Sequence, residues 1–162
     1  MPTSSYCWDT SVFLSLLIGS DDGRSGREAL GLRAAVDDIR SGRVMLVTST
    51  LIFVEVLPGS LDPEHYDVFA RLFERENVEA RELTATIARL AGDVRTRGFA
   101  QGMKTSAEDA VFVATALSVG SECLHSFDPH HLRLAELFQD ELVISKPTGT
   151  QASMDLDAEP EQ

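Results

Sequence analysis

No stretch of the 162-residue chain approaches the roughly 20 consecutive apolar residues that would cross a bilayer. The first residues carry neither the basic start nor the small-residue cleavage site of a secretory signal. No membrane association and a cytoplasmic location are therefore expected. Cysteine is scarce: Cys7 and Cys123 are the only two, with no CxxC and no Cys/His cluster at zinc spacing. Both sit in apolar surroundings, Tyr6-Cys7-Trp8 and Cys123-Leu124, as reduced, buried strand cysteines would. Also missing are GxxxxGK[ST] and GxGxxG, which cradle nucleotide phosphates, and HExxH, which holds zinc. His130 and His131 are adjacent and so cannot share one helix face; both are expected on a helix surface. Positive charge is short as well. Lys and Arg number 14 against 26 Asp and Glu, a net charge of −12. A protein that grips nucleic acid through its phosphates needs a basic face. Either this chain binds no nucleic acid, or part of its acid builds a metal site and the rest a solvated surface. Composition favours the first reading; the placement of particular acids favours the second.

What is present is an ordinary globular composition, 43% hydrophobic and 25% charged. The length fits one domain able to bury about two thirds of its unfolded surface. Short apolar runs alternate with helical periodicity. Strands are expected at residues 5–8, 44–47, 77–81, 123–126 and 142–144. Helices are expected at 11–18, 27–40, 51–57, from 62 through Phe73, at 84–97, from 106 to 117, and at 130–138. Gly/Asp/Ser-rich residues 19–26 and the Gly-containing stretch 98–102 read as loops. The domain is expected to span residues 1–147. Residues 148–162 turn polar and acidic without apolar periodicity and are expected to be a disordered tail. Strands alternating with helices make an α/β fold, a parallel sheet covered on both faces, whose site lies at the carboxyl ends of the strands.

Carboxylates and hydroxyls gather at those ends. The first strand runs into Asp9-Thr10-Ser11, and the second into Thr48-Ser49-Thr50, with Glu55 in the helix beyond. The strand at Cys123 runs into Ser126-Phe127-Asp128, and Asp109 lies in the first turn of the helix opened by Ser106. Each acid has a structural alternative. Asp9 and Asp128 suit N-caps, Asp128 especially because Pro129 follows it. Asp109 suits a capping box with Ser106. Glu55 stands alone among Leu51, Ile52, Phe53, Val54, Val56 and Leu57. A buried carboxylate in such surroundings costs several kcal/mol without a partner, which implies a cation nearby; a thin exposed polar stripe is the alternative. Caps explain the acids one at a time but not why all four fall at one edge. Four carboxylates at one place repel one another unless a cation neutralises them. Oxygen ligands without His or Cys suit Mg²⁺ or Mn²⁺, ions that orient phosphate and activate water.

Two other acid-based sites fail on spacing. A phosphatase of the haloacid dehalogenase type needs a second Asp two positions after the first, where this chain has Ser11. A response-regulator receiver needs paired acids after the first strand and a Lys late in the sheet; here one acid follows Trp8, and Lys146 arrives after the last strand.

Four passages together resemble a PIN domain, and within that group the VapC-type toxins of prokaryotic toxin–antitoxin pairs. They are Asp9-Thr10-Ser11-Val12; Ser49 through Glu55; Lys104-Thr105-Ser106-Ala107-Glu108-Asp109-Ala110 leading into Ala114-Thr115-Ala116-Leu117; and Ser126-Phe127-Asp128. The third is the most specific, an acid-Ala pair before an apolar helix that ends in Ala-Thr-Ala. The resemblance covers residues 6–147 and implies a three-layer sandwich of helices around a parallel sheet. It implies metal-dependent cleavage of single-stranded or looped RNA by a metal-activated water, leaving a 5′-phosphate and a 3′-hydroxyl. Carried over, Asp9, Glu55, Asp109 and Asp128 become the Mg²⁺ or Mn²⁺ ligands and catalytic set, with Thr10 and Ser126 orienting ligands or phosphate. Glu108 is placed to share the role of Asp109. A homodimer and a cognate antitoxin are the implied partners. Arg95, Arg97 and Lys104 stand before Asp109 in a stretch free of acid from residue 94 to 106. They form a candidate RNA-binding patch, a solvated loop being the alternative. A PIN-like binding or regulatory protein with an idle metal site, and a nuclease directed at DNA, are the competing functions.

Overall fold

The computed structural model describes residues 2, 4–19 and 26–149. Five strands, β1 (Ser4–Trp8), β2 (Val44–Ser49), β3 (Val78–Arg81), β4 (Cys123–His125) and β5 (Val143–Ser145), form one sheet in the order β3-β2-β1-β4-β5. Every pairing is parallel, with Tyr6 opposite Leu46 on one side and Cys123 on the other. The helices are α1 (Thr10–Ile18), α2 (Gly26–Arg40), α3 (Ile52–Glu55), α4 (Pro63–Leu72), α5 (Ala85–Ala100), α6 (Ala107–Val119), α7 (Pro129–Arg133) and α8 (Ala135–Phe138). A 3₁₀ turn covers Pro58–Ser60.

Burial explains the apolar, non-alternating strands. In β1, Tyr6 and Trp8 enter a core shared with Phe13 of α1, Ile39 of α2 and Phe69 of α4, while Cys7 enters a second core with Ala91 of α5 and Val113 of α6. Successive side chains thus point into opposite helical layers, and both must be apolar. Both cysteines are buried, reduced strand residues. The architecture is the expected α/β three-layer sandwich. Helix α6 is buried from Ala110 to Ala116; its small residues Ala110, Ala114 and Ala116 permit close approach to α5 and the sheet. Among the described residues no helix is long and apolar enough to cross a membrane.

Four boundaries depart from expectation. The helix expected over residues 51–57 is only α3, because Val56 (φ −90°, ψ 89°) leaves the helical region two residues before Pro58. Helix α5 continues through Gly98, where a loop is expected. A side chain at 98 would collide with Thr105 Oγ1, so glycine there lets the following loop fold back on the helix, and the turn comes at Gly102 (φ 72°). The helix expected at 130–138 is split into α7 and α8 at Leu134. At the C-terminus, Pro147 and Gly149 are buried against α2, where Gly31 leaves room for the Pro147 carbonyl. The expected loop at 20–25 and the acidic tail from 150 to 162 lie outside the described residues.

One polar cluster is built into the first core. Asp38 of α2, 1% exposed, accepts from the Tyr6 hydroxyl at 2.9 Å and from Arg43 Nε and Nη2 at 3.1 and 2.9 Å. Beside it, His125 of β4 is fully buried under the Tyr6 ring, 4.7 Å between centroids, and its Nδ1 accepts from the Trp8 indole N–H at 3.1 Å. Burial overrides the neighbouring Asp9 and Asp38 charges and lowers the His125 pKa to about 4, so the ring is neutral.

Candidate metal centre

Asp9 follows the last residue of β1 and is 2% exposed. Its Oδ1 accepts from the Val12 N–H at 3.3 Å, capping α1, and from the Ser11 hydroxyl at 2.6 Å. Its Oδ2 accepts from the Ser126 hydroxyl and from His131 Nδ1, the latter at 2.6 Å. The two serines also tie the strand ends together: Ser11 Oγ accepts from the Phe127 N–H and Ser126 Oγ from the Asp128 N–H, each at 2.9 Å. Asp9 is therefore both a cap and the centre of a cross-strand network that fixes its carboxylate. Capping and site-building are compatible uses of one residue.

His131 corrects the expectation of a surface histidine. It is 2% exposed, and its Nε2 donates to the Asp109 carbonyl at 3.1 Å and lies 3.5 Å from Asp109 Oδ1. Burial by itself lowers its pKa, but the hydrogen bond to Asp9 and the charges of Asp9 and Asp109 outweigh that and raise it to about 9. The raised pKa favours the protonated ring, in which both nitrogens donate. One signal was available in the chain: His131 shares a helical face with Leu134 and Phe138, at i+3 and i+7, and both are buried. His130, 100° around the helix, is exposed. Ser11, expected only as one of the hydroxyls after the first strand, is the other residue whose part in the site was not foreseen.

The remaining acids surround this network. Asp109 is the third residue of α6, its N–H donating to the Ser106 cap at 3.0 Å. Asp128 caps α7 through the His130 N–H at 2.8 Å. Ligand atoms of Asp109, Asp128 and His131 lie within 4.8 Å of one another. Glu55 is half-buried and accepts from the Thr10 hydroxyl. Its pKa is raised, first by burial and then, against the Thr10 hydrogen bond, by the charges of Asp9, Glu108 and Asp109. Its apolar sequence neighbours are buried only in part: Ile52 and Val56 are buried, but Phe53, Val54 and Leu57 are exposed.

The structure thus brings Asp9, Glu55, Asp109 and Asp128 to the carboxyl edge of the sheet, with Thr10 and Ser126 among them. His131 lies against Asp9, while Glu55 still feels the charges of Asp9, Glu108 and Asp109. A half-exposed set of carboxylate oxygens with excess negative charge fits a hard divalent ion. A ligand role for His131 would require loss of its Nε2 proton, whereas here both nitrogens serve as donors.

The expected basic patch is not brought together as a patch. Arg95 and Arg97 lie on α5, as the helix expected over residues 84–97 implies, but their side chains are engaged elsewhere. Arg97 pairs with Glu141 at 2.7 Å, donates to the Leu137 carbonyl and lies 4.1 Å over the Phe138 ring, which fastens α5 to the α8 region. Arg95 Nε donates to the Thr105 carbonyl at 3.1 Å and its guanidinium stands 5.5 Å from the Phe99 ring. Only Lys104 borders a cavity that also includes Asp109.

A family model described as "PIN domain" matches residues 6–137. No curated protein matches the chain. Three solved structures share the fold. VapBC2 from Rickettsia felis, bound to a DNA fragment from its promoter, has a TM-score of 0.62 at 11% identity, over 88% of this chain and 98% of that one. VapC20 from Mycobacterium tuberculosis, described as a Sarcin-Ricin loop cleaving toxin, has 0.58 at 18%, over 79% and 93%. FitAcB from Neisseria gonorrhoeae has 0.57 at 16%, over 88% and 97%. At these identities the likeness is one of fold.

Proposed function

This chain belongs to the PIN-domain family, and from that premise we propose that it is an Mg²⁺- or Mn²⁺-dependent endoribonuclease acting in the cytoplasm on single-stranded or looped RNA. The observation that carries the reading is the meeting of Asp9, Glu55, Asp109 and Asp128, from four separate segments, at one sheet edge with more negative charge than His131 offsets. Asp9, Glu55, Asp109 and Asp128 would hold the ion. When bound, a divalent ion supplies a more acidic water and offsets charge building on the scissile phosphate. The protein's own part is positional. Ser11, Ser126 and His131 lock the Asp9 carboxylate in one orientation, and Thr10 does the same for Glu55. Such supporting contacts set how well a metal site works. In the hydrolysis, water oxygen bonds to phosphorus, the bond to the 3′ oxygen breaks, and that oxygen takes a proton, leaving 5′-phosphate and 3′-hydroxyl ends.

A toxin role, with a cognate antitoxin protein as its inhibitor and a homodimer as its assembly, completes the proposal. The fold likeness to a structure described as a toxin supports it. The test is cleavage of single-stranded RNA, and of DNA of the same sequence, by purified protein with Mg²⁺ or Mn²⁺. Asp9→Asn and Asp109→Asn are expected to lose about a hundredfold or more, the upper range for disturbing a metal site's support. Equal activity in all three proteins sinks the reading. Cleavage of DNA alone moves it to a DNA nuclease, and metal binding without cleavage to a binding or regulatory protein.

A further inference from the structure

Beside the acidic edge lies a second cavity, about 240 Å³, whose wall includes Asp109 and three basic side chains, Lys104, His130 and Arg133. In a protein of net charge −12, unpaired cations gathered beside carboxylates call for a reason. Arg43, Arg71, Arg81, Arg97 and Lys146 all pair with acids. Lys104 and Arg133 have no such pair among the described residues; neither have Arg27, Arg33, Arg40, Arg75, Arg89 and Arg95, but Lys104 and Arg133 are exposed and share one cavity with Asp109.

Their backbones are held rigidly. The Met103 N–H donates to the Gly98 carbonyl at 2.8 Å, Arg95 grips the Thr105 carbonyl, and Thr105 packs on Gly98, so Lys104 stands on a loop anchored on both sides. Arg133 ends α7, flanked by the buried His131 and Leu134. Two permanent cations that line one cavity from anchored supports, against a single carboxylate, suit an anion. Arg presents paired N–H donors and Lys a point charge, the combination that receives phosphate oxygens.

We infer that Lys104 and Arg133, with His130, form a subsite for a backbone phosphate of the RNA strand next to the one being cleaved. The inference rests on the ribonuclease reading and sharpens it: the acidic edge takes the scissile phosphate, and this cavity holds the strand in register. It also reassigns the basic contact from Arg95 and Arg97, which hold the scaffold, to Arg133, which no spacing argument joins to Lys104.

The test is made on the full chain in EDTA, where cleavage does not occur, by titrating a single-stranded oligoribonucleotide at several salt concentrations. Lys104→Ala and Arg133→Ala are expected to weaken binding about tenfold each. Together they should lower the slope of log affinity against log salt by about 0.7, one phosphate of a single strand. Lys104→Arg should bind as the wild type does. Arg71→Ala, on α4 in the opposite layer, should leave binding unchanged. The inference is overturned if the wild type does not bind, if Lys104→Ala and Arg133→Ala bind normally, or if Arg71→Ala weakens binding equally, which would mean diffuse attraction. Because no divalent ion is present, loss of binding in these variants stands even if the cleavage test fails, and normal binding overturns the subsite even if cleavage is found.

Discussion

Asp38 and Asp9 are both almost wholly buried aspartates held by several donors, yet they sit in opposite electrostatic situations. Asp38 faces Arg43, a permanent cation that donates twice, and the Tyr6 hydroxyl. Around it the books close. Asp9 is also met by donors, including His131, but further carboxylates stand around it, and Glu55 has a raised pKa, first from burial and then from the charges of Asp9, Glu108 and Asp109. Burial of an acid is thus not the mark of a site. The mark is negative charge left over after every protein donor has been counted.

The largest expected break of this contrast is at Asp38. Asp38→Ala strands half-exposed Arg43 and removes the acceptor of the Tyr6 hydroxyl. About 3 kcal/mol of stability should be lost, the low end for a broken buried pair because Arg43 reaches solvent. Urea unfolding measures it. Cleavage per folded molecule should be unaltered; a parallel loss of cleavage would show that the two clusters are not independent.

Acid offers a slightly smaller probe of the same side. His125 is neutral when folded, with a pKa of about 4, but takes a proton near 6.5 when unfolded. Above pH 6.5 it has no effect; as pH falls from 6.5 towards 4 the unfolded chain gains a proton that the folded one refuses. Stability should fall by roughly 3 kcal/mol across that window. His125→Gln should flatten this part of the stability-against-pH curve, and an unchanged curve would refute the assignment.

The smallest effect is expected at the acidic edge itself. Glu55→Gln removes one of the repelling carboxylates, so thermal stability without divalent ions should hold or rise by a few tenths of a kcal/mol, while the stabilisation that Mn²⁺ gives the wild type should shrink sharply. A large loss of metal-free stability would make Glu55 a structural residue like Asp38.

How much of this was legible in the chain varies with the range of the interaction. Strands, sheet type and the four edge acids follow from local patterns, because a parallel strand buried on both faces reads as an unbroken apolar run and its next residue lands at the site. Asp9 and Asp128 announce themselves twice, as caps and as acids just after strands, and Asp109 as an acid in the first turn of α6. His131 was hidden by its neighbour: adjacency to His130 suggested a surface pair, when the helical period turns one inward and the other outward. Arg95 and Arg97 fall on a helix as expected, but their side chains are taken up by Thr105, Glu141, Leu137 and Phe138, tertiary contacts that no local signal encodes. The loop expected from Gly98 begins later, because glycine there continues the helix and lets the Thr105 loop close over it. The pairing of Lys104 with Arg133 depends on α7 docking beside the loop after α5, a tertiary event that no local signal encodes.

Helix α6 carries Asp109 in its first turn and then passes through the interior with seven consecutive buried residues. Chemistry and core therefore share a single rod. A methyl group added at Ala110 or Ala114, both fully buried, would push that rod along its axis or off the sheet and carry the Asp109 carboxylate with it. The tolerance of this protein to mutation should accordingly be narrowest along that buried stripe, and selection on the proposed chemistry would be felt there as selection on packing.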